Sequence, residues 1–253
     1  MSFYRIDGGH RLTGELMVHG AKNSVLPILA STLLASGESV IHNCPKLSDV
    51  EATLAILREL GCRVTRQEST VTVDATTLTT SEISCELMQE MRSSVLFLGA
   101  LISRIGEATV CAPGGCKLGP RPIDLHLSAL SQMGVTIDER GESLACTRGT
   151  RTHSTTISLP FPSVGATENI LLAACGCKGE TILIGAAQEP EIVDLQNCLC
   201  SMGATISGAG TNKITIQGGR ALSPTEYHVM GDRIVATTYL AAAAITGGTV
   251  AMR

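Results

Sequence analysis

The pattern of apolar and polar positions repeats along the chain with a period of about seventy residues. In each copy a helix rich in small apolar residues ends at a Gly-Glu pair, and a β-like run follows. A second helix then stops at a glycine, and two further β-like runs close the copy. The Gly-Glu pairs begin at Gly37, Gly106 and Gly179, and the glycines that end the second helices are Gly61, Gly134 and Gly203. A strand-like run also precedes each first helix, so each copy is predicted to fold as βαβαββ.

Local signals support these elements. A glycine directly after a helix adopts the left-handed conformation that closes the carbonyl end. The second helices carry Asp49, Asp124 and Asp194, which we expect at the helix starts, where a carboxylate accepts from free backbone N–H groups. Turn-forming residues such as 208–212 lie between two alternating runs and predict a β-hairpin at the end of the copy.

A fourth copy begins near the end of the sequence. Residues 235–245 repeat the small-residue helix, Gly247 follows it, and residues 249–252 start the next strand. We therefore expect the 253 residues to be part of a longer protein, or a shortened relative of one. The apolar face of the last helix is then expected to lack its usual cover.

Composition narrows the possible functions. The chain is 44% hydrophobic and carries 19 basic against 23 acidic residues, so no net positive charge attracts nucleic acid or an anionic membrane. Aromatic residues make up 2%, too few for base stacking. The first residues lack the layout of a signal peptide, and no apolar run approaches the roughly 18 residues that cross a bilayer. We predict a cytoplasmic protein with reduced cysteines, no nucleic-acid partner and no membrane insertion.

One loop of the second copy is a candidate reactive site. The segment 113–126 is rich in glycine and proline, and it carries Cys116 beside Lys117 and Arg121. Nearby cations favour the thiolate and lower the pKa of a thiol. Cys116 is therefore a candidate reactive group, and the alternative is a bystander cysteine on a loop.

Three other segments are candidate anion sites. Lys22 and Asn23 stand where the first helix begins, and they can bind a phosphate or carboxylate by charge and hydrogen bonds. A solvated lysine with a capping asparagine is the alternative. The same place in the third copy, 162–167, offers Ser163 and backbone N–H groups to a phosphate, or is an ordinary helix cap. Arg92 begins a helix of the second copy, where a single arginine is usually a solvated charge.

Two further patterns suggest no site. Cys175, Cys177, Cys198 and Cys200 could supply four thiolates to a zinc ion. Both pairs lie on predicted helices, where residues two apart point to nearly opposite sides, so buried thiols are predicted instead. His126 is near the cysteine loop and is expected to bond locally.

At these positions the chain resembles the UDP-N-acetylglucosamine 1-carboxyvinyltransferase family of enolpyruvyl transferases over its whole length. The matching motifs are 20–23, 91–92, 113–116, 119–126, 163–167, 189–194 and 232–233. The resemblance implies an α/β fold in which βαβαββ units build inside-out α/β barrels, with the active site between two such domains. About three and a third units are present in the chain. The resemblance also implies that 22–229 form one complete domain and that 1–21 and 230–253 are pieces of another.

The family moves the enolpyruvyl group of phosphoenolpyruvate to the 3-hydroxyl of UDP-N-acetylglucosamine and releases phosphate, which starts peptidoglycan precursor synthesis. It uses no metal and no other cofactor. The resemblance makes Cys116 the general acid, predicts that the epoxide fosfomycin alkylates it, and assigns Lys22 and Asn23 to the phosphoenolpyruvate site. The residues that it assigns to the nucleotide-sugar site are Arg92, Arg121, Pro122, Ile123, Asp124, Leu125, Ser163, Val164 and Gly165.

The chain departs from the family pattern at two points. Phe161 stands where many members carry a lysine, so a contact with a nucleotide phosphate is expected to be lost. The family's general-base aspartate and several phosphate-binding arginines have no counterpart in the 253 residues, so we expect little turnover from this chain alone. A non-catalytic domain that binds the UDP-sugar is the alternative function.

Overall fold

Helices and strands follow one another largely in the order that the repeat predicts. The computed structural model describes residues 3–5, 7–114, 122–149 and 154–253. The helices are α1 (Lys22–Ser31), α2 (Ser48–Glu59), α3 (Cys85–Glu90), α4 (Leu96–Arg104), α5 (Asp124–Gln132), α6 (Val164–Gly176), α7 (Pro190–Ser201) and α8 (Arg233–Thr246), with 3-10 turns at Thr32–Leu34 and Arg92–Val95. The strands are β1 (Thr13–Leu16), β2 (Glu38–His42), β3 (Arg63–Gln67), β4 (Thr70–Asp74), β5 (Glu107–Cys111), β6 (Val135–Arg140), β7 (Ser143–Arg148), β8 (Thr155–Ser158), β9 (Gly179–Ile184), β10 (Thr205–Ser207), β11 (Lys213–Gly218), β12 (Glu226–His228) and β13 (Thr249–Met252).

Each of the three complete copies contributes one sheet. The strand orders are β12-β2-β4-β3, β5-β7-β6 and β10-β11-β9-β8. In every sheet the closing hairpin is antiparallel, and its second strand pairs with the strand that follows the first helix. In the third copy β8 and β9 also pair in parallel across α6, as a βαβ crossover requires. The predicted hairpins are confirmed.

The leading strands of the first two copies differ from the prediction. β1 pairs in parallel with β13, and β12 takes the parallel place beside β2. In the second copy the leading run is reduced to a single parallel bridge between Glu82 and Thr109. The Ser84 side chain accepts from the Leu87 N–H and begins α3 at Cys85, so the chain turns into a helix where a strand was predicted.

The first helix of each copy is buried on all sides, whereas the second is buried on one. Buried residues run without interruption over 24–31 in α1, 96–102 in α4 and 166–175 in α6. α4 and α6 cross so closely that a Cβ on Gly99 would overlap the side-chain amide oxygen of Asn169. These helices form the interior and the sheets surround them, which is the inside-out arrangement that the motifs imply.

The signals at the second helices are confirmed in part. Asp49 and Asp124 lie in the first turns of α2 and α5. The prediction for Asp194 is wrong, because α7 already begins at Pro190, whose fixed φ suits the first helical position. The glycines that end these helices are left-handed as predicted, with φ of +99° at Gly61, +86° at Gly134 and +100° at Gly203.

The last helix has a different environment. α8, all of whose residues are described, is buried only at Ala243. Its exposed apolar side chains are Ile234, Tyr239, Leu240 and Ile245. Across the described residues, every helix is too short or too polar to span a bilayer.

The cysteines are mostly free and buried. Cys85 and Cys111 form a disulfide that joins the start of α3 to the end of β5, so the expectation of reduced cysteines is wrong for this pair. Burial raises the pKa of Cys175 and Cys198 to about 12. Within the described part of the chain, no group of three or more His, Cys, Asp or Glu side chains is placed to hold a metal ion.

Candidate functional site

A cavity of about 500 Å³ opens where the starts of α5 and α6 meet α1 and the turn Arg92–Val95. Its described lining includes many of the predicted site residues, although they come from three separate copies of the repeat. Those residues are Asn23, Arg92, Pro122, Asp124, Leu125, Ser163, Val164 and Gly165. The fold thus brings together residues from distant parts of the sequence in a single concave surface, as ligand sites require.

Four predicted site residues do not appear in this lining. Cys116 and Arg121 lie outside the described residues. Lys22 and Ile123 are described, but neither lines the cavity. Phe161, which replaces the usual lysine of the family, lies on the cavity wall and is 58% exposed.

The start of α6 provides hydrogen-bond donors to the cavity. Ser163 is the capping residue, and its Oγ accepts from the Ala166 N–H at 3.4 Å. The first N–H groups of a helix have no partner within the helix, and the helix dipole makes this end positive. Val164 and Gly165 carry such groups and line the cavity. Ser163 can therefore cap α6 while the N–H groups of Val164 and Gly165 remain available to a phosphate.

Arg92 is held against the cavity wall by its own hydrogen bond. Its Nη2 donates to the backbone oxygen of Pro122 at 2.7 Å. This bond joins the turn Arg92–Val95 to the segment that enters α5. Arg92 therefore has a hydrogen-bond partner at the cavity, and the residue is half-buried.

Lys22 and Asn23 begin α1, but their side chains lie in different surroundings. Lys22 Nζ lies 2.5 Å from Asp49 Oδ2 at the start of α2. The capping position of α1 belongs to Ala21, so Asn23 is not the cap that the alternative interpretation requires. Asn23 is exposed and lines the cavity.

His126 is a cavity residue whose partner the sequence does not indicate. Its Nδ1 lies 3.1 Å from Asn169 Nδ2, and since an amide nitrogen donates, we place the histidine proton on Nε2. Burial and the positive charge of Arg92 lower the pKa of His126 to about 4, so the ring is neutral. The expected local bond is wrong, because Asn169 lies 43 residues away.

Asn169 connects the helices around the cavity. Its Oδ1 accepts from the Gly99 N–H at 2.7 Å, and its Nδ2 also donates to Val95 O at 3.2 Å. The residue is 1% exposed on a helix that is otherwise largely apolar. A buried polar residue needs hydrogen-bond partners. An asparagine within an apolar helix is therefore the feature of the sequence that indicates this role.

Asp232 binds the starts of two helices. Its Oδ1 accepts from the N–H groups of Ile234 and Val235 at 2.9 and 3.0 Å, and its Oδ2 accepts from the Lys22 N–H at 3.1 Å. Burial opposes the ionised form, but the three N–H donors together hold the pKa of Asp232 below its ordinary value. One carboxylate thus caps α8 and supports α1.

The motif at 189–194 has a structural role. The Asp194 carboxylate accepts from the hydroxyls of Ser24 and Tyr227, the latter at 2.7 Å. Glu191 is buried, and its carboxylate accepts three hydrogen bonds from Arg233, the shortest at 2.9 Å. These contacts tie α7 to α1 and α8.

Comparison with known proteins identifies the family. The sequence matches the family described as EPSP synthase (3-phosphoshikimate 1-carboxyvinyltransferase) over residues 6–253. It is 54% identical over 248 residues to UDP-N-acetylglucosamine 1-carboxyvinyltransferase 2 of Caldanaerobacter subterraneus subsp. tengcongensis, covering 98% of this chain and 59% of that protein. It is 48% identical to UDP-N-acetylglucosamine 1-carboxyvinyltransferase 1 of Symbiobacterium thermophilum, covering 99% of this chain and 58% of that protein. The chain thus spans less than two thirds of the length of these relatives.

Comparison with solved structures leads to the same family of folds. The enolpyruvyl transferase NikO from Streptomyces tendae aligns with a TM-score of 0.80 and 27% identity, over 92% of this chain and 55% of that one. The EPSP synthase of Acinetobacter baumannii aligns with a TM-score of 0.72 at 22% identity, over 92% of this chain and 53% of that one, which shows the shared fold. The fold is therefore the α/β architecture of the enolpyruvyl transferases, as predicted. The chain belongs to the EPSP synthase family of carboxyvinyltransferases, and the resemblance drawn from its motifs is confirmed.

Proposed function

We propose that this chain carries the nucleotide-sugar side of an enolpyruvyl transfer site. In this proposal it binds UDP-N-acetylglucosamine and phosphoenolpyruvate, and the enolpyruvyl group passes to the sugar 3-hydroxyl. The observation that supports it most is the cavity, whose lining combines Asn23, Arg92, the segment that enters α5 and the start of α6. The proposal places the protein in the cytoplasm, without a nucleic-acid partner or membrane insertion.

The charges of the site suit such a ligand. A sugar nucleotide carries a diphosphate, and Arg92 together with the N–H groups of Val164 and Gly165 offers donors to anionic oxygens. Asp124 lies on the same wall and offers an acceptor to an N–H group of the base. The neutral ring of His126 adds no charge of its own.

The chemical step follows the family resemblance. Cys116 gives its proton to the methylene carbon of phosphoenolpyruvate, while the sugar 3-hydroxyl gives its proton to a general base and its oxygen bonds to the neighbouring carbon. The resulting ketal then returns one proton of the new methyl group to the Cys116 thiolate, which restores the double bond, and the departing phosphate takes up the proton held by the base. Lys22 and Arg121 stabilise the anionic oxygens of phosphoenolpyruvate in this proposal. The assignment of Cys116 rests on its motif, since the residue lies outside the described part of the chain.

Calorimetric titration of the chain with UDP-N-acetylglucosamine tests the binding site. We expect saturable binding, and we expect Arg92→Ala to weaken it by roughly tenfold or more, as for the loss of a charged hydrogen-bond donor. Arg63→Ala is the matched control, because Arg63 is 81% exposed on the edge strand β3 and is not among the residues that line the cavity. No binding by the unmodified chain, or equal losses from the two variants, would overturn the proposal.

Alkylation tests the cysteine. Fosfomycin opens its epoxide when a thiolate forms a carbon–sulfur bond and the freed oxygen takes up a proton. We expect the adduct on Cys116, because burial raises the pKa of thiols such as Cys44 and Cys175 to about 12 and leaves them protonated. Peptide mass spectrometry locates the adduct. Modification spread over the other cysteines would count against a special reactivity of Cys116.

A further inference from the structure

Glu168 is a carboxylic acid buried beside the cavity. It lies on α6, one turn beyond Ser163 and Val164, and its side chain lines the cavity together with Asn23 and Pro27 of α1. The residue is only 5% exposed. A charged residue type in a helix with this much burial needs either a partner or a different protonation state.

The polar neighbours of Glu168 on the same helix have partners within the protein. Thr167 Oγ1 donates to Ser163 O at 2.8 Å and accepts from the Ala187 N–H at 3.0 Å. Asn169 bonds to three groups, as described above. The burial of these two residues therefore has a structural reason.

Glu168 differs from these two residues in the part of the chain that the structure describes. Among the described residues, no hydrogen bond or ion pair reaches its carboxyl group. In that same part of the chain, no side-chain oxygen or nitrogen is both sealed from solvent and unbonded. The Glu168 oxygens therefore keep access to the cavity that the side chain lines, and a bound ligand can reach them.

The neighbouring elements present mostly negative charge to this carboxyl group. Burial raises the pKa of Glu168 well above its ordinary value, and repulsion from Glu191 and Glu189 at the start of α7 raises it further. From α5, Asp124 faces the same cavity as a carboxylate and His126 as a neutral ring. The neutral acid is the form that this environment favours.

The basic side chains of the surrounding elements bond elsewhere. Arg233 of α8 donates to Glu191, and Lys22 of α1 pairs with Asp49. Arg92 donates to a backbone oxygen at the entry to α5. In the described residues none of these cations forms an ion pair with Glu168 that would favour its ionised form.

We propose that Glu168 acts in this site as a neutral carboxylic acid that donates a hydrogen bond to an acceptor oxygen of the bound sugar nucleotide. This inference rests on the proposed function, since it takes the ligand of the cavity from there. An ionised carboxylate at the same place would repel a diphosphate, whereas the acid binds it. Glu168 thus makes ligand affinity dependent on its own protonation.

Two measurements on the full chain test this inference. Calorimetric titration with UDP-N-acetylglucosamine is carried out from neutral to alkaline pH on the unmodified chain, Glu168→Gln and Glu168→Ala. We expect the affinity of the unmodified chain to fall as pH rises, and that of Glu168→Gln to stay level, because the amide keeps a donor and does not ionise. Glu168→Ala is expected to lose about tenfold at neutral pH.

Infrared difference spectra of the unmodified chain minus Glu168→Gln detect the acid without any ligand. We expect the carbonyl band of a protonated carboxylic acid at neutral pH, and its loss in alkaline solution. Glu189→Gln removes one negative neighbour, so the band should disappear at a lower pH in that variant. This third variant also keeps Glu168 itself intact if the direct substitutions fail to fold.

The outcomes separate the two proposals. Absence of the band at neutral pH overturns the neutral acid. A band together with unchanged binding by Glu168→Ala overturns the ligand contact. If the unmodified chain does not bind UDP-N-acetylglucosamine, the proposed function fails and the ligand contact fails with it, while the spectrum still decides the protonation of Glu168.

Discussion

Two helices begin at corresponding places in the repeat, at the edge of the same cavity, and they begin for different reasons. α6 has its cap in the preceding residue, Ser163, whose hydroxyl accepts from the Ala166 N–H. The residue before α1 is Ala21, which has no capping group. The N–H of Lys22 is bound instead by Asp232, 210 residues further along the chain.

This difference shows how the two walls of the cavity depend on the rest of the molecule. The cap of α6 is specified locally, because it comes from the residue directly before the helix. The start of α1 depends on a carboxylate that also caps α8, so the position of Lys22 and Asn23 is coupled to the packing of that distant segment. Helices at corresponding positions of a repeat can thus differ in how much their first turns depend on tertiary contacts.

Removal of the shared carboxylate should have the largest effect. We expect Asp232→Ala to lower the free energy of unfolding by about 2–4 kcal/mol, because two helix starts lose their acceptor in a buried place. Urea denaturation measures the loss. Asp7→Ala is the control, since the Asp7 side chain is 72% exposed and its ion pair is with Arg5. A loss similar to that of the control would contradict the shared cap.

Acid should remove the same stabilisation. The pKa of Asp232 is lower in the folded protein than its ordinary value, so its ionised form stabilises the fold above that ordinary value. The stabilisation is lost as pH falls below about 4, through the folded pKa. We expect the unfolding free energy of the unmodified chain to fall more steeply in this range than that of Asp232→Ala. Parallel curves for the two proteins would count against the prediction.

The local cap should matter less. Ser163→Ala removes one acceptor at the start of α6, and we expect a loss of about 1 kcal/mol in urea denaturation. The backbone bond from Thr167 to the Ser163 oxygen remains in this variant. Ser163→Thr keeps a hydroxyl and should stay close to the unmodified chain. A loss as large as that of Asp232→Ala would remove the distinction between the two helix starts.

The ion pair of Lys22 should matter least for stability. Lys22 is 44% exposed and Asp49 25%, and such exposed pairs contribute about 0–1 kcal/mol. We expect Lys22→Ala to change the unfolding free energy by less than about 1 kcal/mol, and a double-mutant cycle with Asp49→Ala to give a coupling of the same size. The coupling should shrink further in high salt. A salt-independent coupling of several kcal/mol would show that the pair is structural.

Much of the candidate site could be predicted from the sequence because its residues stand in motifs that resemble those of the family. Asn23 and Ser163 also stand at corresponding helix starts of the first and third copies, and the fold brings both into one cavity with Arg92 and Pro122. His126, Glu168 and Asn169 were not predicted as a group. Their roles depend on which side chains meet across α4, α5 and α6, and a single sequence carries no record of those partners.

The sequence alone determined the period, the two predicted helices and the hairpin of each copy, and the left-handed glycines, because these follow from propensities and patterns within a few neighbouring residues. The tertiary structure decided that β12, and not β1, pairs with β2, and that Asp232 supports α1. It also decided that Glu168 lies at the cavity with no partner among the residues that the structure describes. Each of these features depends on which distant segments meet, and its energy depends on burial and on the closing of the sheets, which exist only in the folded chain.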